Sequence, residues 1–282
     1  MNWLTEHKIP FGARVEAAFD WLDANAYWVF DAISGFIEAL IDWILWVLQS
    51  PPPLVAVAIV TIAAYAIHRK IGFTIFVAIA LLLIINQGYW DETTETLALV
   101  IAATTVCMAV GVPVGVYGAH HPRFFEALRP VLDMMQTIPT FVYLIPALIL
   151  FGLGMVPGLI ATVIFAIPAP IRLTQLGVMS APTPLIEAGK AFGATDRQLL
   201  WKVELPYALP QIMAGLTQTI MLSLSMVVIA GLVAAGGLGE VIVRALNRAD
   251  IAMGFEAALC IVLIAIVLDR FFRTDALEGG KR

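Results

Sequence analysis

The feature that most constrains this chain is a succession of apolar stretches, each close to the length that crosses a lipid bilayer. A hydrocarbon core of about 30 Å requires roughly 20 apolar residues in a helix. Of the 282 residues, 61% are hydrophobic and 13% are charged, whereas a soluble domain carries about 25% charged residues. We therefore predict an all-α, polytopic transmembrane helical bundle with about seven spans. The predicted spans lie at 54–67, 72–88, 97–117, 131–152, 157–174, 211–235 and 253–270.

One more apolar segment, 28–48, differs from these stretches because carboxylates recur along one of its faces. Asp31, Glu38 and Asp42 are spaced so that they share one stripe of a helix. A single Asp at the bilayer centre costs about 2.5 kcal/mol or more. We therefore predict an amphipathic helix that lies on the membrane surface, with a true span as the alternative. A run of three prolines at 51–53 is expected to end it.

The positions of the basic residues predict the orientation, because cytoplasmic loops of membrane proteins are enriched in Lys and Arg. If the first span runs inward, most of the 16 basic residues fall on cytoplasmic segments. The opposite side then receives only Lys8, Arg14, Arg244 and Arg248. We therefore expect the N-terminus outside, the C-terminus in the cytoplasm, and the long polar loop 172–210 on the cytoplasmic face.

The loop 172–210 is predicted to begin with a short helix that ends at a glycine. Thr183 is expected to cap this helix, and Pro184 is expected to fill its first position, where the missing N–H does no harm. Gly193 stands where a helix commonly ends in a left-handed residue, a conformation that glycine adopts without a Cβ clash.

A second short helix is predicted to follow this glycine. Thr195 and Gln198 have the spacing of a capping box. Pro206 is expected to close the second helix, because proline cannot continue it. The loop is therefore predicted to form a compact helix–turn–helix that projects from the cytoplasmic face, and an ordinary structured loop is the alternative.

The same loop resembles the EAA motif of ABC-importer permeases, which pairs Glu-Ala-Ala with a downstream glycine and an Ile-x-Leu-Pro. The matching residues here are Glu187, Ala188, Gly189, Gly193, Val203, Leu205 and Pro206. This chain departs from the motif at Gly189, which replaces the second alanine, and at Val203, which replaces the isoleucine. The resemblance implies that the loop, including Thr195 and Gln198, docks on a separate ATPase.

The resemblance extends over roughly 95–272 to the permeases for glycine betaine, proline betaine and choline. It is carried by RPVLDMMQTIPTFVYLIPALILFGLG (129–154), IRLTQLGV (171–178), the loop, LSMVVIAGLVAAGGLGEVIVRAL (224–246) and LDRFF (268–272). Membership of this family would imply a type I ABC importer permease fold in the inner membrane. It would also imply a second copy of the chain, an ATPase subunit and a soluble substrate-binding protein as partners, with a quaternary ammonium compound as substrate.

The predicted helices and this resemblance together divide the chain into four parts. Residues 1–53 are expected to form an N-terminal tail with the interfacial helix, and 54–94 to form two accessory transmembrane helices. Residues 95–273 are expected to form a five-helix core that contains the loop 172–210. Residues 274–282 are expected to form a C-terminal tail.

The predicted spans give a second clue, because Asp, Glu, Lys, Arg and His are absent from their interiors: Leu97 to Val116, Met134 to Gly152, Pro157 to Ile171 and Gln211 to Ala235. A self-sufficient secondary carrier, the alternative function, usually keeps such residues at mid-membrane. Prolines do recur in the spans, and Pro139 and Pro146 are the pair for which we consider a role in the transport pathway. Their ordinary interpretation is a tolerated kink.

Several other functions are not indicated by the sequence. The chain contains no phosphate-binding G-x-x-x-x-G-K-[ST] motif and no hydrolase motif, so we expect a non-catalytic subunit without a cofactor. His120 and His121 have no nearby carboxylate or thiol in the sequence, which argues against a metal site. No basic run indicates a nucleic-acid surface. The segment 240–247 is predicted to be a short surface helix that could face a binding protein.

Overall fold

The computed structural model describes residues 11–272, within which every regular element is helical. The predicted C-terminal tail, 274–282, lies outside these residues. The elements are α1 (Phe11–Gln49), α2 (Pro53–His68), α3 (Ile71–Gln87), α4 (Trp90–His120), α5 (Pro122–Thr137), α6 (Thr140–Phe151), α7 (Met155–Ala166), α8 (Pro168–Met179), α9 (Thr183–Ala191), α10 (Asp196–Leu199), a π-helical turn (Leu200–Glu204), α11 (Leu205–Ala230), a 3₁₀ turn (Gly231–Val233), α12 (Gly237–Arg248) and α13 (Ile251–Phe272).

Four uninterrupted helical stretches are long and apolar enough to cross a membrane. They are Trp90–His120, Met155–Met179, Asp196–Val233 and Ile251–Phe272. Two further candidates are bent pairs of helices, and the apolar helix α3 is shorter, with 17 residues. The predicted number of about seven is reached when each bent pair is counted as one span and α3 is included.

The predicted span 131–152 is not one straight helix in the structure, because α5 and α6 meet at 94°. The bend falls at Ile138, whose ψ of 132° is extended, and at Pro139, which precedes the first residue of α6. A residue before proline is disfavoured in the helical region because its backbone clashes with the proline ring. The hydropathy of this stretch is continuous, but its backbone direction is not.

Small residues allow the central helices to approach closely. A Cβ added at Gly111 would lie 2.8 Å from Pro170 Cγ, and one at Gly115 would lie 2.6 Å from the Ile171 carbonyl oxygen. These two glycines bring α4 against α8, as their four-residue spacing predicts. Gly215 gives α11 a similar approach to Pro170. The core is therefore held by backbone-to-backbone proximity as well as by apolar side chains.

The bundle has two ends that matter for function. At the first, which we call the loop end, α4 ends at His120 and α8 ends at Met179. At the second, which we call the Glu95 end, Glu95 lies near the start of α4, and the Gly154 N–H donates to the Val233 carbonyl at 2.9 Å. The loop 172–210 and the α11–α12 connection therefore lie at opposite ends of the molecule.

The helix predicted at 28–48 is longer in the structure and packs across the Glu95 end. Gln49 Nε2 donates to Thr94 Oγ1 at 2.8 Å, and the rings of Phe30 and Phe151 are 5.5 Å apart. Both contacts lie at the Glu95 end, so the intervening stretch of α1 crosses that end. Its buried residues are Ile37, Ile41 and Ile44.

Candidate functional site

The first half of the loop has the glycine turn that the sequence predicts. Gly193 has a φ of 79°, its N–H donates to the Lys190 carbonyl at 2.9 Å, and the Ala194 N–H donates to the Gly189 carbonyl at 3.0 Å. This pair of hydrogen bonds is a Schellman motif, which satisfies carbonyls that the end of α9 leaves free. The left-handed conformation predicted for Gly193 is confirmed.

The cap predicted for the start of this helix is wrong. Thr183 is itself the first residue of α9, and its predecessor, Pro182, makes no side-chain capping bond. Pro182 has the extended backbone that a cap position requires, with a ψ of 125°. Pro184 then falls in the first turn, where its lack of an N–H costs nothing.

The predicted capping box at the second helix is confirmed. The Gln198 N–H donates to Thr195 Oγ1 at 3.3 Å, and the Thr195 N–H donates to Gln198 Oε1 at 2.9 Å. Two backbone donors that the start of α10 would leave free are thereby satisfied. The turn between α9 and α10 is fixed from both sides by bonds within the loop.

The predicted end of this second helix at Pro206 is wrong. The chain continues as one helical stretch, Asp196–Val233, and Pro206 lies in the first turn of α11. The π-turn that precedes it pairs the Leu205 N–H with the Leu200 carbonyl. This wider turn relieves the clash that the proline ring would otherwise make with the carbonyl four residues earlier. Val203 belongs to the π-turn, and Leu205 begins α11.

Gly189, which departs from the EAA motif, is where α9 touches α10. A Cβ at this position would lie 2.5 Å from Leu199 Cδ2, and Leu199 is buried. The rest of α9 has no buried residue, and the side chains of Glu187 and Ala188 are exposed. The loop therefore presents nearly the whole surface of its first helix outward.

Two residues of this region were missed by the sequence analysis. Phe192, at the tip of the loop, is 92% exposed, and no periodic pattern singles it out. Glu204, in the π-turn, is buried although it is a carboxylate. Trp201, which also lies in the π-turn, is 63% exposed although its side chain is large and apolar. A bulky apolar surface therefore stands on the loop rather than beneath it.

The prolines considered for the transport pathway lie away from the loop tip, in the bent pair of helices. Pro139 precedes α6 and Pro146 lies inside it. The Tyr143 hydroxyl donates to the Met135 carbonyl at 2.9 Å, so it satisfies the carbonyl that Pro139 deprives of a backbone donor. The structure gives no contact between either proline and a pathway.

At the Glu95 end, the start of α12 is held by α4. The Gly237 N–H donates to Glu95 Oε2 at 2.6 Å, and the Leu238 N–H donates to Thr96 Oγ1 at 2.9 Å. A carboxylate is favourable here because the N-terminus of a helix carries partial positive charge. The predicted helix 240–247 lies within α12, which begins three residues earlier and keeps Arg244, Leu246 and Asn247 exposed, whereas Leu238 in its first turn is fully buried.

Within the part of the chain that the structure describes, no group of three or more His, Cys, Asp or Glu side chains is placed to hold a metal ion. The buried cysteines in that part, Cys107 and Cys260, are free thiols in different helices. The described loop residues likewise offer no cluster of catalytic side chains. What the loop end does offer is a short, exposed helix whose turn is fixed by hydrogen bonds.

Comparison with solved structures shows which known fold this bundle resembles. The chain is similar to the methionine ABC transporter MetNI in its inward-facing conformation, with a TM-score of 0.57 and 24% sequence identity. The match covers 64% of this chain and 92% of that one. The expected type I ABC importer permease fold is thereby confirmed.

Comparison with curated proteins extends the match to most of the chain. The glycine betaine/proline betaine transport system permease protein ProW of Escherichia coli is 42% identical over 97% of this chain and 77% of its own length. The glycine betaine/carnitine transport permease protein GbuB of Listeria monocytogenes is 44% identical over 93% of this chain and 94% of its own. The family model for the binding-protein-dependent transport system inner membrane component matches residues 111–274. The chain belongs to this family of ABC transporter permease subunits.

Proposed function

We propose that the chain is the translocation subunit of an ATP-driven, binding-protein-dependent importer of quaternary ammonium compounds in the inner membrane. It works as a homodimer with a separate ATPase and a separate substrate-binding protein. The loop at 172–210 couples ATP hydrolysis to transport. The observation that carries this proposal is the exposed, internally braced helix α9 in a chain of this family.

The loop is suited to transmit motion because its shape does not depend on a partner. The Schellman motif at Gly193 and the capping box at Thr195 fix the turn between its helices. A rigid segment that docks on a moving partner transfers the motion, whereas a flexible segment absorbs it. Phe192 and Leu185, both largely exposed, supply apolar surface for that contact. Glu187 supplies a charge on the same helix.

The substrate class is proposed from the relatives. Glycine betaine, proline betaine and carnitine, which appear in their names, share a quaternary ammonium group, and choline carries the same group. Asp, Glu, Lys, Arg and His are absent between Leu97 and Val116 and between Pro157 and Ile171, which suits coupling by an external ATPase better than coupling by protons.

We infer where a second copy of the chain packs from the bent pair formed by α5 and α6. Phe141, Ile145 and Ile149 are exposed on one face of α6, and each keeps more than half of its surface accessible. Apolar residues at membrane depth are covered by lipid or by protein. We assign this face to the second copy, with the pathway between the two copies and close to Pro139 and Pro146.

We further propose that α1 lies on the external membrane surface, with the N-terminus outside and the C-terminus in the cytoplasm. Successive helical residues are about 100° apart, so the side chains of α1 fall into three sectors. Isoleucines face the bundle, exposed carboxylates including Asp31, Glu38 and Asp42 occupy a second sector, and exposed tryptophans including Trp28 and Trp46 occupy a third. Protein, water and lipid meet at such a helix.

The variants Asp31→Cys, Glu38→Cys and Asp42→Cys test this placement. All three cysteines are expected to react from the outer aqueous side with a membrane-impermeant reagent. Labelling of positions 31 and 42 from opposite sides would show that α1 is a true span.

Gly193 provides the test of coupling. At a φ of 79°, a Cβ costs roughly 1–2 kcal/mol, and a β-branched side chain costs more. Gly193→Val is therefore expected to leave the spans inserted but to weaken ATPase docking or uncouple hydrolysis from uptake, and Gly193→Ala is expected to be milder. Complex yield, substrate-stimulated hydrolysis and uptake are measured on the same preparation.

Gly72→Val is the matched control, because a Cβ at Gly72 meets nothing within 4 Å and the position lies at the start of α3. It is expected to retain complex yield and uptake. Wild-type yield, hydrolysis and uptake in Gly193→Val would refute the coupling role of the loop.

A further inference from the structure

A buried carboxylate joins the loop to the end of a transmembrane helix. Glu204 lies in the π-turn between α10 and α11, and only 10% of its side chain is exposed. His120 is the last residue of α4, and its Nε2 lies 2.8 Å from Glu204 Oε2. Glu204 Oε2 is enclosed and has no hydrogen bond of good geometry in the described part of the chain. The His120 imidazole is therefore the polar group that can compensate the charge of the buried Glu204 carboxylate.

The other ring nitrogen determines the protonation of this pair. His120 Nδ1 lies 2.9 Å from the Val116 carbonyl oxygen. A carbonyl oxygen only accepts, so Nδ1 carries a hydrogen and donates. A neutral imidazole has a single N–H, and its Nε2 would then bring a lone pair against the carboxylate. The contact is attractive when the pair holds a further proton, which makes His120 an imidazolium.

No other described charged group replaces this partner at ion-pair distance. His121, which follows the last residue of α4, points elsewhere, since its Nδ1 lies 3.0 Å from the Tyr117 carbonyl and its ring stacks on Tyr117. Arg172 of α8 is paired with Asp133 at 2.6 Å. The other charged side chains on the adjoining α5, α9, α10 and π-turn are exposed. They are Arg123, Glu126, Arg129, Glu187, Lys190, Asp196, Arg197 and Lys202.

The His120–Glu204 pair connects the loop to a helix that runs the length of the bundle. Glu204 lies where the loop helix joins the long span, and His120 lies at the end of α4. The opposite end of α4 carries Glu95, which holds α12. A link between His120 and Glu204 therefore ties the loop to a helix that reaches the other end of the bundle. Loss of the proton would leave a buried carboxylate without a counter-charge, which is unfavourable.

We propose that His120 and Glu204 are positioning residues that hold the loop against α4 through an ion pair, and that deprotonation of His120 loosens energy coupling as the pH rises. This inference rests on the proposed coupling function of the loop. It adds a proton-dependent link that lies outside the surface offered to the ATPase.

The test uses the complete transporter, with its ATPase and binding protein, reconstituted in proteoliposomes. Uptake of radiolabelled glycine betaine per ATP hydrolysed is measured from about pH 6 to about pH 9, which spans the titration of imidazole. In the wild type this ratio is expected to fall by about tenfold towards the alkaline end. An effect of this size is expected because His120 is half-exposed whereas its partner Glu204 is buried.

Two variants separate positioning from folding. His120→Lys supplies a cation that stays charged over this range, so its ratio is expected to remain high and flat. Glu204→Gln keeps the shape and removes the charge, so its ratio is expected to be independent of pH. In the Glu204→Gln background, His120→Lys is expected to have no further effect, because the two residues act as one pair.

The possible outcomes distinguish this inference from the proposed function. A wild-type pH profile in both His120→Lys and Glu204→Gln would refute the positioning pair, even if Gly193→Val uncouples transport. Normal coupling in Gly193→Val would refute the proposed role of the loop itself. A flat profile in His120→Lys, together with uncoupling in Gly193→Val, would support both.

Discussion

The two ends of the bundle are built in different ways. At the Glu95 end, the first N–H groups of α12 donate to Glu95 and Thr96 of α4, and Gly239 is pressed against the backbone of Val227. At the loop end, α9 has no buried residue, and its ordered turn relies on bonds between residues at most five positions apart. The Glu95 end is completed by distant parts of the same chain, whereas helix α9 at the loop end is braced only by residues near it in the sequence.

This difference indicates which end is finished within a single chain. Buried contacts between distant segments give a region much of its stability, and exposed helices with local bonds open at low free-energy cost. The Glu95 end is therefore expected to be stable in the isolated subunit. The hydrogen bonds within the loop fix its shape, but the exposed surface of α9 is expected to be covered only on the ATPase, in agreement with the proposed coupling role. Substitutions at the two ends can break or sharpen this contrast.

The largest effect is expected from Gly239→Val at the Glu95 end. A Cβ on Gly239 would overlap the Val227 carbonyl, and backbone atoms cannot move aside as a side chain can. Overpacking of this kind costs about 3 kcal/mol or more when the backbone must shift. The melting temperature of the purified subunit in detergent is expected to fall sharply, or the variant is expected not to accumulate. A melting temperature equal to that of Gly72→Val, at an open site, would contradict the close packing described here.

An intermediate effect is expected from Glu95→Ala. This variant removes the carboxylate that accepts from the Gly237 N–H at 2.6 Å, and a hydrogen bond to a charged group contributes about 1.5–3 kcal/mol. Hydrogen exchange at the first amides of α12 is expected to accelerate, whereas exchange in α9 is expected to stay as in the wild type. Glu95→Gln retains an acceptor and is expected to be milder. Equal acceleration at both ends in Glu95→Ala would argue against independent construction of the two ends.

The smallest effect is expected from Gly189→Ala, which restores the alanine of the EAA motif. The added Cβ meets Leu199 Cδ2, the tip of a flexible side chain that can rotate away. Replacing glycine by alanine inside a helix also gains about 1 kcal/mol, which offsets the repacking. Uptake is expected to stay within about twofold of the wild type. A loss as large as that of Gly193→Val would show that α9 and α10 fit together more tightly than local bracing implies.

Features that depend on near neighbours were predictable from the sequence. The turn at Gly193 and the capping box at Thr195 and Gln198 each involve a few consecutive residues, so residue type and spacing determine them. The apolar stretches that became α4, α11 and α13 were predictable for a similar reason, because length and composition define a span.

Features that depend on direction or on distant contacts were not predictable. Hydropathy does not report the 94° turn at Pro139, although the proline itself was noted. Pro206 was expected to stop a helix. The π-turn before it allows the helix to continue, and no sequence rule predicts that turn. Glu204 and the first turn of α12 are both buried against α4. Glu204 is 84 residues from its contact His120, and Leu238 of α12 is 142 residues from its contact Thr96.

The continuous helix from Asp196 to Val233 has the dimensions of a lever. Its 38 residues, at about 1.5 Å of rise each, give a rod about 57 Å long. A tilt of about 10° around its midpoint displaces each end by about 5 Å, close to one helical turn. In the proposed coupling, a small rotation imposed at the loop moves the other end of this helix by several ångströms.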